Sequence, residues 1–161
     1  MWNDINKQSQ DLLKICKLKK IYLTTAESCT GGMIASSIVS INGSSSIFKS
    51  GIITYSNESK AEFLKIPLEF INKNGAVSEV VAFKMAENVL NIMNSSLSIA
   101  VTGIAGPSGG SNDKPVGLVW IGIGTKKKIL TKRYLFRGNR LKVRQQTTLE
   151  ALKLAYNVVI D

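Results

Sequence analysis

Apolar and polar positions recur along the chain with two different periods, which predict helices and strands. Apolar side chains every three or four positions predict helices at 3–20, 33–42, 78–94 and 140–159. β-branched or continuous apolar runs predict strands at 21–26, 49–56, 97–102, 116–124 and 129–136. The last two strands form a predicted hairpin through a turn at 125–128, and two short helices are expected between the second and third strands.

Helices interleaved with strands, together with one hairpin, predict an α/β layered fold with a mixed sheet. No internal repeat and no linker-like stretch interrupts the pattern. We therefore expect a single domain over residues 1–161, a length that suits one sizeable core.

The turn between the first strand and the second helix reads Thr-Ala-Glu-Ser-Cys-Thr-Gly-Gly from Thr25 to Gly32. A strand, a tight polar turn and a helix lift a small nucleophile to the end of a sheet, at a helix N-terminus that favours negative charge. Ser28 and Cys29 are both candidate nucleophiles. The alternative interpretation is a capping turn, with Thr30 as N-cap and glycines for tight packing. Glu27 either orients the site or caps the helix.

Two further loops carry candidate chemistry. The second strand ends in Tyr55 and passes into a short helix through Lys60, which puts both side chains at a strand end, as for Ser28. From these residues alone, the favoured interpretation of Lys60 is an exposed helix lysine, and that of Tyr55 is an aromatic packed on the core. The loop 103–115 is rich in glycine, and its backbone N–H groups suit a phosphate or a carboxylate, although it matches neither common phosphate-binding spacing.

Composition narrows the possible chemistry. The chain contains no histidine, which excludes Ser-His-Asp and Cys-His arrangements and every histidine metal site. An enzymatic base would have to be a lysine, a tyrosine or a carboxylate. Cys16 and Cys29 make neither a zinc site nor a disulfide framework, and we expect a reducing cytoplasm. The N-terminus lacks the pattern of a secretory signal, and no stretch is apolar enough to span a membrane.

The net charge of +10 is concentrated in one segment. Residues 126–144 contain nine lysines or arginines and no acidic residue, whereas the rest of the chain is nearly neutral. Such a surface suggests an anionic ligand or nucleic acid, or lysines that protect a sheet edge from aggregation. Only Tyr134 and Phe136 could stack on bases and no nucleic-acid motif is present, so a nucleic-acid partner is not expected.

Four stretches together resemble one family. They are 26–32, Tyr-Ser-Asn-Glu-Ser-Lys at 55–60, Gly-Ala-Val-Ser at 75–78, and Thr-Gly-Ile-Ala-Gly-Pro at 102–107 followed by Lys-Pro-Val-Gly at 114–117. In this order and spacing they resemble the CinA C-terminal domain family, from about Leu12 to Leu154. Stand-alone members of that family include nicotinamide-nucleotide amidohydrolases.

The resemblance implies a three-layer α/β/α sandwich and an amidase that needs no metal or cofactor. Such enzymes convert nicotinamide mononucleotide to nicotinic acid mononucleotide and ammonia. The nucleophile falls on Ser28, the base on Lys60 and an active-site tyrosine on Tyr55. The resemblance also implies a homo-oligomer. The alternative within the family is a nucleotide-binding or regulatory module without catalysis.

Further residues are predicted to bind substrate. They are Thr30, Gly31, Gly32, Ser44, Ser45, Thr102, Gly103, Gly106, Arg140 and Arg144. Burial, or positive charge from the two arginines, is expected to lower the pKa of Lys60 so that it accepts a proton. Two positions depart from the family pattern, with Asn42 in place of proline and Asn139 in place of aspartate. Larger members carry an additional nucleotide-hydrolysing domain, whose activity is not expected for this chain.

Overall fold

Five strands form one mixed sheet at the centre of the computed structural model, which describes residues 1–161. The strands are β1 (Leu23–Glu27), β2 (Phe48–Ile53), β3 (Leu97–Gly103), β4 (Leu118–Thr125) and β5 (Ile129–Leu135). Their order in the sheet is β2-β1-β3-β4-β5. β1 pairs in parallel with β2 and β3, whereas β4 and β5 form the expected antiparallel hairpin.

Six helices cover the two faces of this sheet. They are α1 (Trp2–Lys19), α2 (Met33–Val39), α3 (Asn57–Leu64), α4 (Leu68–Asn74), α5 (Glu79–Ile92) and α6 (Arg140–Ile160). α1, α2 and α6 pack together on one face, and α3, α4 and α5 pack on the other. The predicted α/β/α sandwich with a mixed sheet is therefore confirmed. None of the helices has both the length and the apolar content needed to cross a membrane.

The central position of β3 in the sheet explains why its sequence is a continuous apolar run. Successive side chains of a strand point to opposite faces of the sheet. Leu97, Ile99 and Val101 join the larger core under α1, α2 and α6, while Ala100 joins the smaller core under α3, α4 and α5. A central strand covered on both faces has no solvent side on which polar residues would alternate.

The parallel strands determine where a site can form. The carboxyl ends of β1, β2 and β3 meet at one edge of the sheet, and the loops that follow them begin with Ser28, Thr54 and Ile104. Open α/β sheets bind ligands at such an edge. Ser44 and Ser45 precede β2, and Phe48 of β2 pairs with Leu23 at the start of β1. These two serines therefore lie near the amino ends of the parallel strands, opposite the edge at which their carboxyl ends meet.

The basic segment 126–144 is divided among three structural elements. Lys126–Lys128 form the hairpin turn, Lys132 and Arg133 lie exposed on β5 at the edge of the sheet, and Arg140 begins α6. Charged side chains on an edge strand oppose pairing with another chain. The exposed Lys132 and Arg133 on β5 fit the edge-strand interpretation.

Candidate active site

Ser28 and Lys60 meet at the carboxyl edge of the sheet although they are 32 positions apart. Ser28 directly follows β1, and its backbone N–H donates to the carbonyl of Val101 at 3.1 Å. Lys60 Nζ lies 3.2 Å from Ser28 Oγ and donates to the Thr54 carbonyl at 2.8 Å. A longer contact of 3.4 Å reaches the Tyr55 carbonyl. The side chain of Lys60 is 1% exposed, which excludes the interpretation as a surface lysine.

The start of α3 aims Lys60 at the serine. Ser56 caps this helix, because its Oγ accepts from the Ser59 N–H at 3.0 Å. Lys60 lies in the first turn, and helical side chains point back toward the N-terminus of their helix. The N-terminus of α3 adjoins the end of β2, so the lysine reaches back to the end of β1.

Burial lowers the pKa of Lys60 from 10.5 to about 8. Transfer out of water penalises the ammonium form more than the neutral amine. Cys29 and Glu58 act weakly in the opposite direction, and neither Arg140 nor Arg144 is among the causes. The expectation that an arginine lowers this pKa is therefore wrong, whereas the expectation that burial lowers it is confirmed. Near neutral pH, a fraction of Lys60 is an unprotonated amine that can accept a proton.

The carboxylate of Glu27 holds the turn after β1 from inside the protein. Its Oε2 accepts from Thr30 Oγ1 at 2.6 Å, from the Gly32 N–H at 3.0 Å and from the Ile34 N–H at 3.1 Å. Its Oε1 accepts from the Ala35 N–H at 2.8 Å. Gly32, and not Thr30, is the N-cap of α2, so the predicted cap at Thr30 is wrong: a buried carboxylate satisfies the N–H groups that a capping hydroxyl would otherwise bind.

Most N–H groups of this turn are already engaged. The Gly31 N–H donates to the Ser28 carbonyl at 3.1 Å, and the Gly32 N–H is held by Glu27. Between residues 28 and 35, only the N–H groups of Cys29 and Thr30 donate to no protein acceptor. Cys29 lines the neighbouring cavity, so its N–H is the candidate donor to an oxyanion formed at Ser28.

Cys29 itself is a poor nucleophile in this position. Its side chain is 5% exposed, and burial raises the pKa of the thiol to about 12. The thiolate, and not the thiol, is the reactive form. Of the two nucleophile candidates in the sequence, the environment therefore favours Ser28.

Arg140 bridges two loops at the entrance to the site. Its Nη2 donates to the hydroxyl of Tyr55 at 2.8 Å, and its Nη1 donates to the carbonyl of Gly106 at 2.8 Å. Tyr55 is 60% exposed and contacts Lys60 through its carbonyl, not through its hydroxyl. The Tyr55 side chain thus forms part of the rim rather than of the Ser28–Lys60 pair.

A cavity of about 320 Å³ opens beside Ser28 and Lys60. Among the residues predicted from the sequence, it is lined by Ser28, Tyr55, Lys60, Thr102, Gly103, Gly106 and Arg140. Asn57 and Val77 also line it and were not among the predicted site residues, whereas Ser108 belongs to the loop 103–115 that was predicted to bind an anion. Asn57 could have been predicted as a site residue, because it directly follows the helix-capping Ser56 in the loop after a strand.

The structure does not bring the remaining predicted residues to the cavity. They are Thr30, Gly31, Gly32, Ser44, Ser45 and Arg144. The first three belong to the turn behind Ser28, and Arg144 binds the Thr30 carbonyl at 2.7 Å. Thr102 lines the cavity, but its hydroxyl donates to the Ala76 carbonyl at 2.8 Å and ties β3 to the loop before α5.

Both departures from the family pattern lie outside the cavity. Asn139 caps α6, since its Oδ1 accepts from the Lys142 N–H at 2.9 Å. Aspartate and asparagine are comparable N-caps, so α6 begins at Arg140 with either residue at position 139. Asn42 lies exposed in the loop at the opposite edge of the sheet.

Two larger cavities, of about 530 and 590 Å³, flank the hairpin turn at Lys126–Lys128. Neither is lined by a residue of the Ser28 site. No group of three or more Cys, Asp and Glu residues is arranged to hold a metal ion.

Comparison with known proteins identifies relatives of nearly the whole chain. The profile of the CinA C-terminal domain matches residues 5–159. A putative competence-damage inducible protein of Clostridium beijerinckii is 46% identical over 142 residues, which cover 88% of this chain and 35% of that protein. A CinA-like protein of Fervidobacterium nodosum is 44% identical over 156 residues, covering 96% and 38% respectively. The chain thus spans about a third of the length of these curated relatives.

Solved structures agree with the sequence matches. The competence/damage inducible protein CihA of Agrobacterium tumefaciens has a TM-score of 0.94 at 34% identity, covering 98% of this chain and 96% of that one. A CinA superfamily protein of Klebsiella pneumoniae has a TM-score of 0.93 at 28% identity, covering 97% and 98%.

Lys60 makes the stability of the protein depend on pH in a defined direction. Because its pKa is lower in the folded than in the unfolded chain, the unfolded state binds more protons between about pH 8 and pH 10.5, and stability rises with pH there. Lys60→Met removes this dependence. From about pH 7 to about pH 9.5, wild type should gain about 2 kcal/mol relative to Lys60→Met.

Urea denaturation of both proteins at the two pH values measures this difference. Lys73→Met, at an exposed position in α4, serves as the matched control and should follow wild type. Parallel pH dependence of wild type and Lys60→Met would contradict the lowered pKa.

Glu27→Gln should destabilise the protein although it preserves the size of the side chain. All four partners of Glu27 are donors, and a glutamine amide supplies one acceptor and one further donor. At least one buried donor then loses its partner, which costs about 1–3 kcal/mol. Chemical denaturation measures the loss against Glu62→Gln, an exposed glutamate in α3. Equal stability of the two variants would show that the carboxylate is dispensable.

Proposed function

The chain belongs to the CinA C-terminal domain family, and we propose that it is a serine amidase that deamidates nicotinamide mononucleotide to nicotinic acid mononucleotide and ammonia. The observation that carries the proposal is the buried Ser28–Lys60 pair, with 3.2 Å between Oγ and Nζ and a lysine pKa of about 8. A base whose pKa lies near the working pH is the most effective proton acceptor.

In the proposed acylation step, Ser28 Oγ attacks the carboxamide carbon of the substrate while neutral Lys60 takes the hydroxyl proton. The carbonyl oxygen becomes an oxyanion, which the Cys29 N–H stabilises. When the C–N bond breaks, the ammonium form of Lys60 returns the proton to the nitrogen, and ammonia leaves. The nicotinoyl group is then held on Ser28 as an ester.

In the proposed hydrolysis step, water attacks the ester carbon and again loses a proton to Lys60. Collapse of the second tetrahedral intermediate releases the carboxylic acid, and Lys60 returns the proton to Ser28 Oγ. Lys60 therefore acts as base and acid in both halves. The mechanism assigns no step to a metal or a cofactor.

The phosphate of the proposed substrate is assigned to the loop after β3, whose residues line the same cavity. The N–H groups of Ala105, Gly106, Ser108 and Gly109 donate to no protein acceptor, and Arg140 extends over the same loop. Unpaired backbone N–H groups beside a guanidinium suit a phosphate. The N-terminus of α2 does not compete for it, because Glu27 already occupies that end.

A cytoplasmic location and a homo-oligomeric state are part of this proposal. The first is supported by two cysteines that are buried and unpaired, and the second by the family resemblance. The alternative of a non-catalytic regulatory module gains no support from Asn42 or Asn139, since both lie outside the cavity.

Purified protein incubated with nicotinamide mononucleotide should release ammonia and nicotinic acid mononucleotide in equal amounts. Ser28→Ala and Lys60→Ala should each lower kcat by about 10²-fold to 10⁴-fold, because each removes a group that acts in the transition state. Cys29→Ala is the matched control and should keep most of the activity.

Absence of turnover by wild type, or equal turnover by Ser28→Ala, would contradict the proposed activity. Calorimetric binding of the mononucleotide to wild type without hydrolysis would instead support the regulatory alternative.

A further inference from the structure

Arg144 lies one helical turn after Arg140 on the same side of α6, yet the two arginines do different things. Arg140 lines the cavity, whereas Arg144 does not. Arg144 Nη2 donates to the Thr30 carbonyl at 2.7 Å, behind the turn that carries Ser28. No carboxylate lies within 4 Å of the guanidinium, and its buried Nε has no partner. An unneutralised cation is thus fixed against the back of the nucleophile turn.

Two peptide groups connect this cation to the candidate oxyanion donor. The Thr30 carbonyl that accepts from Arg144 belongs to the same peptide group as the Gly31 N–H. That N–H donates to the Ser28 carbonyl at 3.1 Å. The Ser28 carbonyl in turn belongs to the same peptide group as the Cys29 N–H, which donates to no protein acceptor.

We propose that Arg144 is a positioning residue that orients and polarises the Cys29 N–H through these two peptide groups, and so stabilises the oxyanion formed at Ser28. The inference rests on the proposed acyl-transfer function. A peptide group whose oxygen accepts a strong hydrogen bond becomes a better donor at its nitrogen, and consecutive groups reinforce one another. The effect is larger because Arg144, the first donor in this series of hydrogen bonds, is charged.

The charge of Arg144 has the sign that the proposal requires. It acts on the Cys29 thiol in the direction that lowers the pKa, as does Lys60, whereas burial and the charge of Glu27 act in the opposite direction and each outweighs Arg144. The same charge favours an oxyanion that develops beside the Cys29 N–H. Glu27 binds the turn from inside and Arg144 binds it from the α6 side, so the turn is held between them while the Cys29 N–H stays free.

This role differs from the substrate-binding role that the sequence predicts for Arg144. A residue that binds the phosphate changes KM, and only for substrates that carry a phosphate. A residue that acts on the oxyanion donor changes kcat for every acyl substrate, because the oxyanion forms only in the transition state.

The test compares wild type, Arg144→Gln and Arg144→Lys on nicotinamide mononucleotide and on its dephosphorylated riboside. We expect Arg144→Gln to lower kcat about 10-fold to 100-fold on both substrates, with KM changed less than about threefold, since a weakened donor costs less than a deleted one. Arg144→Lys retains a cation and should restore part of kcat. Arg133→Gln removes an exposed arginine of β5 that makes no side-chain hydrogen bond and should behave as wild type.

A second measurement separates this inference from the proposed substrate. Acylation of Ser28 by p-nitrophenyl acetate needs the oxyanion donor but no mononucleotide, and it should slow by the same factor in Arg144→Gln. If wild type does not deamidate the mononucleotide but this acylation still depends on Arg144, the proposed function fails and the inference stands.

A rise in KM confined to the phosphorylated substrate would overturn the inference in favour of phosphate binding. An unchanged acylation rate in folded Arg144→Gln, verified by its urea denaturation midpoint, would overturn it as well.

Discussion

A lysine that is 1% exposed and has no carboxylate within 4 Å must be held by neutral acceptors. For Lys60 these are the carbonyls of Thr54 and Tyr55 and the hydroxyl of Ser28. Neutral acceptors orient the amine without favouring its charged form as a carboxylate would, so burial dominates and the pKa falls to about 8. Two parallel strands that end side by side, and a helix capped by Ser56, bring these groups together. The burial that disfavours the charged form of the amine is therefore the same feature that allows Lys60 to act as a base.

The turn after β1 supplies the second requirement, which is a donor for developing negative charge. Helix N-termini commonly serve as anion sites, but here Glu27 fills that place from within the protein. As a result, the N–H groups of Gly32, Ile34 and Ala35 donate to Glu27, whereas the N–H of Cys29 is left free beside the nucleophile. The phosphate of the proposed substrate is then directed to the loop after β3. In the proposed mechanism, Glu27 thus leaves the Cys29 N–H for the oxyanion and the loop after β3 for the phosphate.

The sheet and its layers were predictable because hydrophobic period, strand length and the hairpin turn all point to the same architecture. The sequence placed Ser28 and Lys60 at strand ends, and the parallel pairing of β1 with β2, which brings those ends to the same edge of the sheet, explains why the two side chains meet. The contacts of individual side chains did not follow. Thr30 was the wrong choice of N-cap, and although Glu27 was considered as a cap, its position six residues before α2 did not indicate that it would bind three N–H groups at the start of this helix. Arg140 and Arg144 share a face of α6. The sequence does not show that the side chain of Arg140 extends to the cavity while that of Arg144 extends to the back of the turn after β1. Ser44 and Ser45 were assigned to the site by resemblance, although they precede β2 and lie at its far end.

In the proposed mechanism, Ser28 carries the acyl group during turnover. Rapid acid quenching of the protein with nicotinamide mononucleotide, followed by digestion and mass spectrometry, measures this directly. We expect a peptide containing Ser28 whose mass is increased by that of the substrate less ammonia, and no such adduct in Ser28→Ala. An adduct located on Cys29, or product formation in Ser28→Ala at the wild-type rate, would contradict the proposed role of Ser28.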